Sequence, residues 1–375
     1  VLAAIENHQH QQWEGLMSST SAVDAIVLVG GKGTRLRPLT ISAPKPMLPI
    51  AGVPYLTHLL SRIRAAGIAH VILGTSYQAE VFSQYYGTGA ELGLELEYVV
   101  EDEPLGTGGA IGNVKHLLRG DTALIFNGDI LTGCDLTELL TSHQRAAADV
   151  TLHLTTVDDP RAYGCVPTDS NGRVTAFLEK EPNPVSNQIN AGTYVFSRSV
   201  IEAIPTGRPV SVERETFPGL LEAGALVVGH VESGYWRDLG KPSDFVAGSA
   251  DLVRGIAPTD ALPGPVGEAL LLPGAKVSEQ ATVTGGSTVG AGCLVEEGAV
   301  VDGSVLLDGA RVLAGATVSA SIVGRDAVVG AGTVLSEAVI GDGAVLGGGI
   351  ELRCGARVWP GVQLADRAVR FSSDV

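Results

Sequence analysis

A glycine-rich loop with basic side chains follows the first apolar run of the chain, "AIVLVGGKGTRLRPLT", Ala25 to Thr40. Gly30, Gly31 and Gly33 carry no Cβ, so backbone N–H groups there can face phosphate oxygens directly. Arg35 and Arg37 follow, and Lys45 lies in "PKPMLPI", where flanking prolines hold it in an extended segment. The loop is not a GxxxxGK[ST] P-loop. Nor is it a dinucleotide turn, because Leu36 stands where a third glycine would. A lone glycine-rich loop is more often a plain turn, but the loop, "GTRLRPLT" and "PKPM" together read as a phosphate site. Two acids add to it: Asp129 closes "TALIFNGD", and Asp238 lies in "WRDLG". Each reads either as a turn residue or as a ligand of Mg²⁺, a hard ion held by one or two carboxylates plus phosphate oxygens.

The elements that must position these residues are short apolar runs alternating with amphipathic stretches. Strands are predicted at Ala25–Val29, His70–Ser76, Leu94–Glu101 and Thr122–Asp129. Helices are predicted at Pro54–Gly67, around Ala79–Tyr86 and over Gly106–Leu118; the first opens on a proline and closes on a glycine. This alternation implies an α/β domain with a mainly parallel sheet covered on both faces. Ligands of such sheets bind beyond the carboxyl ends of the strands. The Gly30 loop, Glu101 and Asp129 all fall at such ends and are expected to share one crevice.

After about Leu262 the texture changes to dense glycine with a six-residue period. Hexads run unbroken from Leu272 to Leu313, with Val277, Val283, Val289, Val295, Val301, Leu307 and Leu313 expected to face an axis. The register slips near Ser321–Gly324 and returns over Gly341–Leu364. That period fits coils of short parallel strands, about eighteen residues per coil. It resembles the left-handed parallel β-helix of hexapeptide-repeat proteins. The expected units are an extension over 1–22, a catalytic domain over 23–255 and a β-helix over 262–370. Met17 reads as the natural start, since the residues before it have neither a basic leader nor an apolar run.

The formal net charge of −16 argues against nucleic-acid or anionic-membrane partners, which need a basic surface. No apolar run approaches the roughly 20 residues needed to cross a bilayer. Cys134, Cys165, Cys293 and Cys354 are scattered without metal-ligand spacing, which suits reduced thiols in the cytoplasm.

The stretches "VGGKGTRLRPLT", "PKPMLPI", "EDEPLGTGGAI", "NGDIL", "YGCV", "FLEKEPNP", "SNQINAGTYVFS" and "GYWRDLGKPSDF" resemble the sugar-nucleotide pyrophosphorylases. These nucleotidyltransferases join a sugar-1-phosphate to a nucleoside triphosphate. The resemblance runs from Ala25 to about Leu252, and members of the group also carry a hexapeptide tail. It is closest to the mannose-1-phosphate guanylyltransferases, which implies GTP and mannose-1-phosphate as substrates and GDP-mannose and pyrophosphate as products. It implies a Rossmann-like, mixed and mainly parallel sheet. Leu28, Gly30, Gly31, Gly33, Thr34, Glu101, Pro104, Gly106 and Thr107 would then bind the nucleotide. Arg35 and Lys45 would balance the triphosphate charge, and Asp129 and Asp238 would hold Mg²⁺. Gly128, Tyr163, Gly164, Glu179, Asn190 and Gly192 would form the sugar-phosphate side, with Lys180 on the phosphate. One departure stands out: the family often reads Glu-Lys-Pro, whereas here Glu181 intervenes before Pro182.

Glu101 bears on the base. The matching place in thymidylyl members looks like a glutamine. A carboxylate offers acceptors only, which suits the adjacent ring N–H and amino donors of guanine. A solvated acid in the "EDE" run is the plainer reading. Two alternatives keep the architecture: a glucose-1-phosphate thymidylyl- or uridylyltransferase, and a non-catalytic regulatory relative. Acyl transfer by the β-helix is disfavoured, because all eight histidines lie at or before His230. The β-helix is expected to serve as a structural and homo-oligomerising element.

Overall fold

The computed structural model describes residues 23–370 apart from Tyr77, Pro263, Pro265 and Val266; the expected 1–22 extension lies outside the described residues. Strands β1 (Val23–Leu28), β2 (His70–Thr75), β3 (Glu95–Val100) and β4 (Thr122–Asn127) are parallel and lie in the order β4-β1-β2-β3. The next strands are β5 (Ile130–Thr132), β6 (Val150–Thr156), β7 (Gly164–Cys165), β8 (Leu178–Glu179), β9 (Gln188–Ser197), β10 (Val227–Val231) and β11 (Trp236–Asp238). Among the described residues, β9 joins β4 antiparallel and carries β6 and β7 on its other side; β10 pairs β6 and β8 pairs β7. The sheet is therefore mixed, with its parallel part where the apolar runs predicted it.

Both faces of the sheet are buried, and successive side chains feed opposite cores. Ala25 and Val27 pack with α1 (Tyr55–Ala65), α2 (Ala79–Tyr86) and residues of the later helix Leu136–Ala146. Ile26 packs on the other face with Ile111 of α3 (Gly106–Asn113). The predicted helix over Gly106–Leu118 ends at Asn113 and continues as a tighter turn, Lys115–Leu117. Helix α4 (Leu136–Ala146) is capped by Asp135, whose carboxylate accepts the N–H groups of Thr137 at 2.9 Å and Glu138 at 3.0 Å.

The C-terminal repeat forms a parallel β-helix with three faces. Paired residues such as Ala269↔Ser287 and Thr288↔Val305 set coil lengths of 18 and 17 residues. The 17-residue coils change the expected register. Val289, Val295 and Val301 are buried on the axis as predicted, but the next axial residues are Leu306 and Val312, not Leu307 and Leu313. One corner there is a residue short, so the inward sense moves back by one. The same shortening recurs between Val318 and Val323 and between Leu335 and Ile340. A column of buried hydroxyls fills these corners: Ser287 Oγ accepts Ser304 N–H at 3.0 Å, Ser304 Oγ accepts Ser321 N–H at 3.1 Å, and Ser321 Oγ accepts Ala338 N–H at 3.0 Å.

Leu307 faces outward into a shared core with the first unit. Val305, Leu307, Ile322 and Val339 pack with Leu36, Leu39 and Leu48, and with Phe245 and Leu252 of α5 (Pro242–Arg254). At the last coils, Arg357 Nη1 donates to Arg37 O at 2.6 Å. The β-helix is thereby seated against the segment that follows the glycine-rich loop.

Candidate active site

Parallel pairing of β1 with β2 and β4 aligns the carboxyl ends of these strands, and a cavity of about 510 Å³ opens there. Leu28, Gly30, Gly31, Gly33, Thr34, Arg35, Lys45, Glu101, Pro104, Gly106, Thr107, Gly128 and Asp129 all line it. Gly33 shows why the loop needs glycine: its φ is +57°, and a Cβ would stand 2.9 Å from both Lys45 Cβ and Thr40 Cγ2. Its carbonyl accepts Thr40 Oγ1–H at 2.9 Å and Leu36 N–H at 3.0 Å, which fixes the turn that carries Arg35. Ser76 Oγ donates to Gly30 O at 2.5 Å and pins the other end.

Two expected ligands are already engaged. Thr107 Oγ1 donates to Glu213 at 2.8 Å and accepts Val212 N–H at 2.9 Å, so its hydroxyl anchors a neighbouring turn at the border of the cleft. Glu101 Oε2 accepts Leu105 N–H at 3.2 Å, and Oε1 has no partner among the described residues. Burial raises the Glu101 carboxyl above its ordinary value, partly offset by that hydrogen bond.

Asp129 and Asp238 meet across an antiparallel ladder. β5 pairs with β11 in the register Ile130↔Asp238, and Leu239 N–H donates to Asp129 O at 3.1 Å. Lys45, buried to 8% exposure, donates from Nζ to Asp129 Oδ2 at 2.8 Å. Asp238 Oδ1 is buried with no hydrogen-bond partner among the described residues. Burial, and next the Asp129 charge, push the Asp238 carboxyl upward; Lys45 and Arg35 pull it back. Tyr55 OH donates to Ile130 O, and burial raises its pKa well above the ordinary value, with Asp129 and Asp238 adding to it. An orphaned carboxylate oxygen beside a second carboxylate is an all-oxygen setting that fits a hard divalent cation. The arginine is near as well: a Cβ on Gly240 would stand 2.7 Å from Arg35 Nη2.

Among the predicted sugar-phosphate residues, Gly128 lines the cleft itself, Tyr163, Gly164, Glu179 and Lys180 lie at the adjoining sheet edge, and Asn190 and Gly192 lie on the neighbouring strand β9. Glu179 pairs with Gly164 across β8–β7, and Lys180 N–H donates to Tyr163 O at 3.1 Å. The Tyr163 ring meets Trp236 edge-on at 5.2 Å, and Trp236 Nε1 donates to Ala191 O at 3.0 Å. Asn190 donates to Tyr194 OH at 2.8 Å and accepts Gly192 N–H at 3.0 Å. Gly192 has φ +76°, and a Cβ there would collide with Ile130 Cδ1. Lys180 is largely exposed, with Nζ 3.0 Å from Glu179 Oε1. Trp236 and Asp238 share β11, which joins this cluster to the acid pair.

Sequence reading missed Val29, Pro46, Gly74, Ala110, Asn127 and Gly240, which also line the cleft. Asn127 and Gly240 were findable, as polar and glycine neighbours of the two aspartates in "NGD" and "DLG". Tyr55 and Trp236 carry no local signal, because their contacts depend on β5 and β11 pairing.

A profile of the nucleotidyl transferase family matches residues 24–255, and one described as the GMPPB C-terminal domain matches residues 265–370. The chain belongs to the nucleotidyl transferase family. It is 60% identical over 358 residues to the mannose-1-phosphate guanylyltransferase of Mycobacterium tuberculosis, covering 95% of this chain and 100% of that one. It is 38% identical over 263 residues to the mannose-1-phosphate guanylyltransferase catalytic subunit beta of Drosophila melanogaster, covering 68% and 71%. Among solved structures, HddC from Yersinia pseudotuberculosis complexed with GMP-PN is similar at 29% identity and a TM-score of 0.54, covering 61% of this chain and 99% of that one. No helix among the described residues is long and apolar enough to cross a membrane.

Proposed function

We propose that this enzyme transfers the guanylyl group of GTP to mannose-1-phosphate, forming GDP-mannose and pyrophosphate. The observation that carries this reading is the meeting of Asp129 and Asp238 beside the glycine-rich cleft, with a buried Asp238 oxygen left unpartnered among the described residues. The end-to-end similarity to a mannose-1-phosphate guanylyltransferase supports the choice of substrates. The relative complexed with GMP-PN supports the choice of a guanine nucleotide.

In this reading the loop Gly30–Thr34 wraps the triphosphate with backbone N–H groups, while Leu28, Pro104, Gly106 and Thr107 border the nucleoside. Arg35 and Lys45 offset the charge that develops at the α-phosphate. Asp129 and Asp238 would hold Mg²⁺, which when bound supplies Lewis-acid neutralisation of the phosphate oxygens. Glu101 Oε1 accepts the paired donors of guanine. Gly128, Tyr163, Gly164, Glu179, Asn190 and Gly192 shape the sugar-phosphate side. Lys180, largely exposed beside the mostly buried Glu179, exchanges that carboxylate for the sugar-1-phosphate. The nucleophile is a phosphate oxygen whose second pKa is about 6, so it is ionised at neutral pH and needs no general base. What the chain supplies is alignment for in-line attack and charge neutralisation. The same reading makes the β-helix the contact of a homo-oligomer, supported by exposed Trp359 and Val362 on the last coils. Its cytoplasmic setting is in keeping with four free cysteines.

The test is pyrophosphate release with Mg²⁺, pairing GTP, ATP, UTP and dTTP with mannose- and glucose-1-phosphate. Turnover with GTP and mannose-1-phosphate, abolished in Asp129→Ala, is the expected outcome. Preference for UTP or dTTP with glucose-1-phosphate would overturn the substrate assignment. Silence across the grid would favour the regulatory alternative.

A further inference from the structure

Cys134, His153 and Glu232 lie beyond the end of the β5–β11 ladder opposite to Asp129 and Asp238. Cys134 follows β5 by two residues, Glu232 precedes β11, and Gly133 N–H donates to Tyr235 O at 2.7 Å between them. A thiol sulfur, an imidazole nitrogen and a carboxylate oxygen from the three residues all lie within 4.8 Å of one another. Cys134 is 1% exposed and His153 2% exposed. His153 Nδ1 is buried without a hydrogen-bond partner among the described residues. Glu232 Oε2 accepts Asp135 N–H at 3.2 Å, and the Cys134 backbone carbonyl accepts Arg62 Nη2–H at 2.6 Å. His230 is the register partner of His153 on the parallel pair β10–β6, so both rings project from the same face. Its Nε2 lies 3.8 Å from Glu232 Oε2.

We propose that Cys134, His153 and Glu232 bind one divalent cation of the zinc class, separate from the nucleotide cleft. Sulfur and imidazole ligands select a borderline-soft ion, whereas the all-oxygen pair Asp129 and Asp238 suits a hard one. Zinc bonds of about 2.0–2.3 Å put tetrahedral ligand atoms roughly 3.4–3.6 Å apart, so the cluster needs only small side-chain shifts to close on an ion. Binding releases the thiol proton, and thiolate plus carboxylate then cancel the double charge of the ion. Water takes the fourth position, next to His230. The ion clamps the chain leaving β5 to the chain entering β11, whose other ends carry the two aspartates of the cleft.

The test uses the purified full-length chain. Metal analysis after extensive dialysis is expected to find one zinc per chain, and chelation is expected to lower the melting temperature by several degrees, reversed by Zn²⁺. Cobalt added to the chelated protein is expected to give a thiolate-to-metal charge-transfer band that is retained in Cys354→Ser, which removes the exposed cysteine. The band is expected to vanish in Cys134→Ser and weaken in His153→Gln. The cobalt titration of the unsubstituted chain stands even where a buried substitution fails to fold. A protein that retains no metal, shows no melting shift with Zn²⁺ and gives no thiolate band with cobalt would overturn the proposal. So would a band that disappears with Cys354→Ser.

Discussion

Glu101→Gln tests the base assignment most directly. In the structure one oxygen holds Leu105 N–H at 3.2 Å, and the other is left for a ligand of the cleft. Glutamine keeps a single acceptor and adds an NH₂ donor. If that acceptor stays with Leu105, the 102–105 segment keeps its tie, but the amide N–H groups then oppose the donors of guanine. At least one hydrogen bond to a charged partner is lost, about 1.5–3 kcal/mol, or roughly a 10- to 150-fold fall in kcat/KM for GTP. The assay is pyrophosphate release at low substrate, comparing GTP with ITP, whose base lacks the amino group. The unsubstituted enzyme is expected to favour GTP, and the variant to lose most of that preference with its melting temperature nearly unchanged. A GTP kcat/KM within about threefold of the unsubstituted enzyme would refute the assignment, given the size expected of such a bond. An equal loss with both nucleotides would mean that Glu101 does not read the amino group of guanine.

Asp238→Asn is expected to abolish turnover yet raise the melting temperature of the Mg²⁺-free protein at pH 7. Burial and then Asp129 raise the Asp238 carboxyl, so its contribution to stability is complete below about pH 4 and is lost as pH rises through the folded-state value. Melting curves of the two proteins should therefore converge in acid, and Mg²⁺ should stabilise only the unsubstituted chain. Gly192→Ala forces a left-handed backbone on alanine, costing about 1–2 kcal/mol, and drives its methyl into Ile130. Calorimetry should show a lower melting temperature, and kinetics a raised KM for mannose-1-phosphate with that for GTP little changed. Arg357→Ala removes the link from the last coils to Arg37 O, worth about 0.5–1.5 kcal/mol. A raised KM for GTP at nearly constant kcat is expected; unchanged kinetics would show that the β-helix does not steady the loop.

Much of the first unit is legible along the chain because strand and helix periods are local. Ala25–Val29 and His70–Ser76 differ from the observed β1 and β2 by no more than two residues at either end. In the β-helix the period is legible but the axial residue is not. "VLLD" offers two adjacent leucines, and a corner one residue short turns Leu306 inward and Leu307 toward the first unit. Nothing in the hexad pattern distinguishes them, since only stacking against the next coil decides the corner's length.

The amino-acid sequence by itself determined the two architectures, the glycine-rich loop and its basic companions, because apolar periodicity and residue type act over a few neighbouring positions. The tertiary structure decided how the chemistry converges. Asp238 reaches Asp129 only because β11 pairs with β5, and the same pairing brings Glu232 toward Cys134. An alternating pattern identifies a strand without naming its partner. Long-range pairing is settled by which faces can be buried together, and that is a property of the whole fold.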